Sequence, residues 1–114
     1  MKYDLKSFTL DEKIRLLAAK DRWHTEDFDG RIYCPMVSDG PVGLRAFESE
    51  ENGVLKYCTA VAFPSTQVLG QTWDTSAAYR MGEVLADECI ERNVDVLLAP
   101  GINVKRLPNC GRNF

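Results

Sequence analysis

The residues best equipped for chemistry fall in two stretches of the chain. Ser38-Asp39-Gly40-Pro41-Val42-Gly43-Leu44-Arg45 sets a carboxylate six positions ahead of a guanidinium, and Ala99 to Phe114 (APGINVKRLPNCGRNF) carries Lys105, Arg106 and Arg112. A carboxylate held by the backbone accepts hydrogen bonds from neighbouring hydroxyls, and a guanidinium donates as a planar fork. That combination suits a polyol such as a sugar ring. It suits an internal ion pair equally well, and residue chemistry alone leaves both open.

Other reactive side chains carry weaker signals. His24 is the only histidine, and no serine or cysteine arrangement points to it, so a packed or hydrogen-bonded role is expected. Cys34, Cys58, Cys89 and Cys110 lie 24, 31 and 21 residues apart, without a CxxC pair or zinc-ligand spacing. They are expected to be inert thiols, and no metal site is predicted. Trp73 is expected in the core with its indole N–H paired, and Asp74 as a helix cap. Asp95 reads as a satisfied buried carboxylate or a surface-facing one.

The elements that must position these groups can be read from pattern. Thr9-Leu10-Asp11-Glu12 is a capping box that opens an amphipathic helix from about Leu10 to Lys20, with Phe8 stapling its first turn. Gly30 and Pro35 break the mixed stretch from 21 to 35. Met36-Val37-Ser38 reads as a strand stopped by Asp39-Gly40-Pro41, which leaves the aspartate at its C-terminal edge. Glu48 to Asn52 reads as a solvated acidic loop, and Thr59 to Phe63 is apolar. A short helix is expected over Thr66 to Gly70. A longer one runs from an Asp74 cap to about Arg92, with Met81, Val84, Leu85 and Ile90 at helical spacing. Val94 to Ala99 then reads as a second strand. Strand, helical crossover, strand is the pattern of a parallel sheet, in which ligands bind at the carboxyl ends of the strands.

Composition narrows the class. The 114 residues are 45% hydrophobic and 27% charged, with eleven aromatics and a formal net charge of −3. Such a chain can bury a core, so disorder is not expected. Its acidic balance offers no electrostatic footprint for nucleic acid or an anionic membrane. No apolar run approaches the ~20 residues of a membrane span. The N-terminus lacks the apolar region of a signal peptide, from which a cytoplasmic location is expected. A complete (β/α)8 barrel needs about 250 residues, more than this chain has.

Three motifs in order, SDGPVGLR (Ser38 to Arg45), FPSTQVLGQTWD (Phe63 to Asp74) and APGINVKRLPNCGRNF (Ala99 to Phe114), resemble the N-terminal barrel domain of glycoside hydrolase family 3, in its β-glucosidase-like members. The early stretch DEKIRLLAAKDRWHT (Asp11 to Thr25) resembles their opening helix and the loop after it. The resemblance implies an α/β fold, the N-terminal portion of a (β/α)8 TIM-type barrel that is incomplete here. Residues 1–114 would hold the opening helix and about the first two barrel strands. It implies that Asp39 grips outer hydroxyls of the sugar in the −1 subsite, that Arg45 borders that subsite and supports the aspartate, and that Arg112 lines it. Arg106 is expected to pack behind the loop. Lys105 stands where many relatives carry histidine, which puts the local loop contacts in question.

Retaining glycosidases use two carboxylates about 5–5.5 Å apart, one as nucleophile and one as acid then base. In the resembled family both lie later in the polypeptide, so no catalytic residue is expected within this chain, and the chain alone is expected to be inactive. The implied parent is a retaining, exo-acting β-glucosidase. It would release terminal non-reducing β-D-glucosyl residues from a small β-glucoside or oligosaccharide, without metal or organic cofactor. A β-xylosidase-type specificity is an alternative, as is a free-standing sugar-binding or regulatory module built on the same residues. Beyond substrate, the partner expected is the remainder of the parent chain, which would cover strand edges left open here.

Overall fold

The computed structural model describes residues 3–101 and Asn109. Thr9 caps helix α1 (Leu10–Arg15): its hydroxyl accepts from the Glu12 N–H at 3.2 Å while the Glu12 carboxylate accepts from the Thr9 N–H at 2.7 Å. These two bonds satisfy orphan donors of the first turn reciprocally. They hold the Glu12 carboxyl below its ordinary range, with the Thr9 N–H as the main cause and Arg31 assisting. The helix ends five residues earlier than the sequence predicts. Leu10, Ile14 and Leu17 all face outward, so no described neighbour rewards a longer apolar stripe. Instead Lys20 N–H donates to the His24 carbonyl, and Ala19 bridges Thr25 in an antiparallel turn that helical backbone could not make. Phe8, ahead of the cap, packs on the segment after α1. It is buried edge-on against Phe28, with the Arg31 guanidinium 4.2 Å from its ring centroid.

Strand β1 (Val37–Asp39) pairs in parallel with β4 (Val96–Leu98), in the register Val37 to Val96, Ser38 to Leu97 and Asp39 to Leu98. Between them lie an antiparallel hairpin, β2 (Phe47–Glu51) and β3 (Val54–Tyr57), and helices α2 (Thr66–Gln71) and α3 (Thr75–Glu91). The βαβ expectation therefore holds, with a hairpin inserted in the crossover. The hairpin corrects the reading of Glu48 to Asn52 as a loop. Asn52 and Gly53 both take positive φ, 54° and 77°, and an Asn-Gly pair in that conformation makes the tight turn that matches strand twist. Acidic side chains along β2 face solvent and disguised a strand.

Asp74 caps α3 as expected. One carboxylate oxygen accepts from the Ser76 N–H at 2.8 Å, the Ser76 hydroxyl at 2.6 Å and the Ala77 N–H at 3.2 Å. The Ser76 hydroxyl leads in lowering its pKa. Trp73 corrects another expectation. It is 93% exposed, with φ at +55°, because the α2–α3 turn puts its side chain outside the packed layer. On α3, Met81 and Leu85 are buried, whereas Val84 and Ile90 of the same apolar set are exposed.

The central core is small: Leu44, Ala46 and Val94 are buried, with Met36, Cys58, Ala60, Cys89 and Leu97 packed on them. Cys34, Cys58 and Cys89 are free, half-buried thiols, and burial pushes the Cys89 thiol up. Cys110 lies outside the described residues. Among those described, no helix is long and apolar enough to cross a membrane.

Asp95 ties β4 to the start of β1. Its carboxylate accepts from the Tyr33 hydroxyl at 2.5 Å and the Met36 N–H at 2.8 Å, while the Met36 carbonyl accepts from the N–H groups of Asp95 and Val96. The Tyr33 hydroxyl is the main cause that lowers the Asp95 pKa, and it raises that of Tyr33. Because the folded pKa is depressed, the ionised form favours folding. This stability is present above the unfolded value, about 3.9, and is lost as pH falls through the folded one. Asp95→Asn is therefore expected to lower the unfolding midpoint near pH 7, with the gap to wild type narrowing below about pH 4. Chemical denaturation of the polypeptide across pH checks this, and a gap that stays constant would refute it.

Candidate functional site

The β1–β4 register sets the site. Parallel strands with Asp39 opposite Leu98 send the 39–45 loop and the 99–101 segment out of the same sheet edge. Thr66, at the start of α2, donates its hydroxyl to the Gly101 carbonyl at 2.9 Å, which holds the chain after β4 against the same end. The two chemistry-bearing stretches thus leave the fold together, as far as Gly101.

The loop after β1 is folded by backbone rather than by side chains. The Asp39 carbonyl accepts from the Arg45 N–H at 2.9 Å and from the buried Ser38 hydroxyl at 3.2 Å. Gly43 N–H reaches the Gly40 carbonyl at 3.4 Å, and Phe63 N–H donates to the Val42 carbonyl at 2.8 Å. Both glycines are required. Gly40 has φ +156°, and a Cβ there would meet the Gly43 carbonyl oxygen at 2.5 Å. Gly43 has φ +140°, and its Cβ would drive into the Val61 carbonyl oxygen. The DGPVG pattern is thus a steric specification for a loop packed against residues 61–63.

Asp39 and Arg45 meet at the loop mouth, with Nη1 3.8 Å from Oδ2 and side chains 56% and 44% exposed for arginine and aspartate. At that separation and exposure the pair contributes little to stability, and the carboxylate keeps lone pairs directed to solvent. Arg45 is also held from its other side. Its guanidinium lies 4.7 Å from the Tyr57 ring centroid, a cation–π contact supplied by β3. Tyr57 pairs across the hairpin with Phe47, and Trp23 stacks on Phe47 at 5.9 Å and meets Tyr57 edge-on at 6.0 Å.

This aromatic support escaped the sequence reading. The signal that would have found it is the Asn52-Gly53 turn, which puts Phe47 and Tyr57 opposite each other. Beside the cluster, a cleft of about 460 Å³ is lined by Asp21, Trp23, Phe47, Glu50 and Leu55 among others. Asp39 does not line it.

The remaining sequence candidates are accounted for. His24 is hydrogen-bonded, its Nδ1 2.9 Å from the Asp21 carboxylate, which also accepts from the Trp23 and His24 N–H groups. Asp95 is a structural clasp. Arg112, the third residue expected at the sugar site, lies outside the described residues, as do Lys105 and Arg106. Among the described residues, no group of three or more His, Cys, Asp or Glu side chains is arranged to hold a metal.

Comparison with known proteins agrees with the family resemblance. Residues 27–114 match the family described as "Glycosyl hydrolase family 3 N terminal domain". The chain is 41% identical over 114 residues to thermostable beta-glucosidase B of Acetivibrio thermocellus, with 96% of this chain and 15% of that protein covered. It is 37% identical to an exo-alpha-(1->6)-L-arabinopyranosidase of Bifidobacterium longum, at the same coverage of each. Its structure resembles the crystal structure of a GH3 beta-glucosidase from Bifidobacterium adolescentis with a TM-score of 0.72 and 35% identity, covering 91% of this chain and 14% of that one. The chain spans about a seventh of the length of these relatives. On family match, sequence and fold together, the chain belongs to glycosyl hydrolase family 3, within its N-terminal domain.

Proposed function

We propose that this chain forms the front of a (β/α)8-type barrel in a retaining, exo-acting β-glycosidase of the β-glucosidase type. In this reading it supplies sugar-binding residues of the −1 subsite, and the rest of the polypeptide supplies nucleophile and acid/base. The observation that carries the reading is the half-exposed Asp39 carboxylate at the C-terminal end of a parallel strand, flanked by Arg45 at 3.8 Å. Asp39 accepts hydrogen bonds from two outer hydroxyls of the terminal glucosyl residue. Arg45, anchored by Tyr57, flanks that carboxylate and orients it toward the sugar. Arg112 donates to the same sugar from the segment that follows β4.

The barrel reading draws support from the parallel pair, whose strands have open outer edges among the described residues. Those edges and the outward Leu10, Leu17 and Ile90 are where further strands and helices would pack. The glucosyl preference rests on relatives named beta-glucosidase. The Bifidobacterium longum relative is named for arabinopyranosyl release, so a different terminal pyranose is the competing specificity.

Two outcomes test the reading. Asp39→Asn in the full-length polypeptide removes a charged acceptor. Hydrogen bonds to charged groups are each worth about 1.5–3 kcal/mol, so kcat/KM for an aryl β-glucoside is expected to fall by about 10²–10⁴-fold. A change of less than threefold would exclude Asp39 from the sugar site. The purified 114-residue chain is expected to show no turnover of the same substrate. Hydrolysis above background by that chain would overturn the division of labour proposed here.

A further inference from the structure

Glu88 stands on α3, remote in sequence from both motif stretches, yet its carboxylate reaches the loop system. One oxygen accepts from the Val61 N–H at 2.8 Å. The other is buried and has no hydrogen-bond partner among the described residues. An orphaned buried carboxylate oxygen is a cost to the fold, so the Val61 contact must offset it. One helical turn on, Arg92 Nη2 donates to the Thr59 carbonyl at 3.4 Å. Glu88 on α3 and Arg92 at its C-cap thus hold the 59–61 backbone at two points.

That backbone is the floor of the Asp39–Arg45 loop. The Val61 carbonyl occupies the space a Cβ on Gly43 would need, and Phe63 N–H donates to the Val42 carbonyl at 2.8 Å. We propose that Glu88 is a positioning residue for the sugar-binding loop: by fixing Val61 it sets the surface on which Gly40 to Gly43 turn, and so the place of Asp39 and Arg45. The proposal rests on the sugar-site reading above and extends it to a side chain that touches no substrate.

Three variants of the full-length polypeptide test it. Glu88→Gln keeps a carbonyl oxygen for the Val61 N–H, Glu88→Asp withdraws the acceptor by one methylene, and Glu88→Ala removes it. Glu88→Ala and Glu88→Asp are expected to weaken inhibition by glucose about tenfold, the equivalent of one hydrogen bond, whereas Glu88→Gln stays within about twofold of wild type. In parallel, amide hydrogen exchange at Gly43, Leu44 and Arg45 is expected to quicken about tenfold in the first two and not in the third. If Glu88→Ala fails to fold, Glu88→Asp carries the comparison. Unchanged exchange at these amides in Glu88→Asp would overturn the proposal. Equal loss of thermal stability in all three with unaltered glucose inhibition would overturn it too. If wild type neither binds glucose nor turns over the glucoside, the sugar-site reading fails first, and faster loop exchange would then mark a purely structural link.

Discussion

The parallel pairing of β1 with β4 is the constraint on which the rest depends. Two short strands cannot hold a sheet by ladder bonds alone, and here the clasp at their start does much of the aligning. The Met36 N–H donates to the Asp95 carboxylate, and the Met36 carbonyl accepts from the N–H groups of Asp95 and Val96. A one-residue slip would turn Ser38 out of its buried position and swing Asp39 to the other face of the sheet. It would also separate the 39–45 loop from the chain that follows Leu98. The register is thus the link between a local polar contact and the geometry of the strand ends from which the two motif segments leave.

The carboxylates divide by what they bind. Glu12, Asp74, Asp95 and Asp21 each take backbone N–H donors within their own turn or across a strand junction, and each serves the fold. Asp39 differs. Its backbone carbonyl closes the loop, whereas among the described residues its side chain has a long, solvent-screened contact with Arg45. Residues that stabilise a fold spend their hydrogen-bonding capacity internally, and a residue that grips a hydroxylated ligand must keep it in reserve. Arg45 shows a related economy, since the Tyr57 face orients its guanidinium without consuming its N–H donors.

Much of this was legible in the residues. The Thr9–Glu12 capping box, the Asp74 cap and the strand ending at Asp39 are local, and local chemistry suffices for them. The misreadings share a cause. Helix α1 stops at Arg15 because its apolar stripe meets no described neighbour and a bridge between Ala19 and Thr25 competes for the chain. Trp73 is outside because a turn with positive φ leads it there, against the hydrophobic pull of its ring. Strand β2 looked like a loop because one face of a hairpin can be acidic all along. In each case the missing information was which neighbour covers a side chain.

The order of three motifs was enough to mark the family by resemblance, and that resemblance paired Asp39 with Arg45. Composition and spacing had no means of saying how that pair is held. Tertiary structure decided it: the Phe47–Tyr57 pairing supplies the ring under Arg45, the Val61 carbonyl forbids a side chain at Gly43, and Glu88 reaches 27 positions back to tie Val61 down. The difference is one of range. Caps and turns are settled by bonds within a few residues, whereas the direction in which a carboxylate points is set by contacts between segments that meet only once the strands have paired.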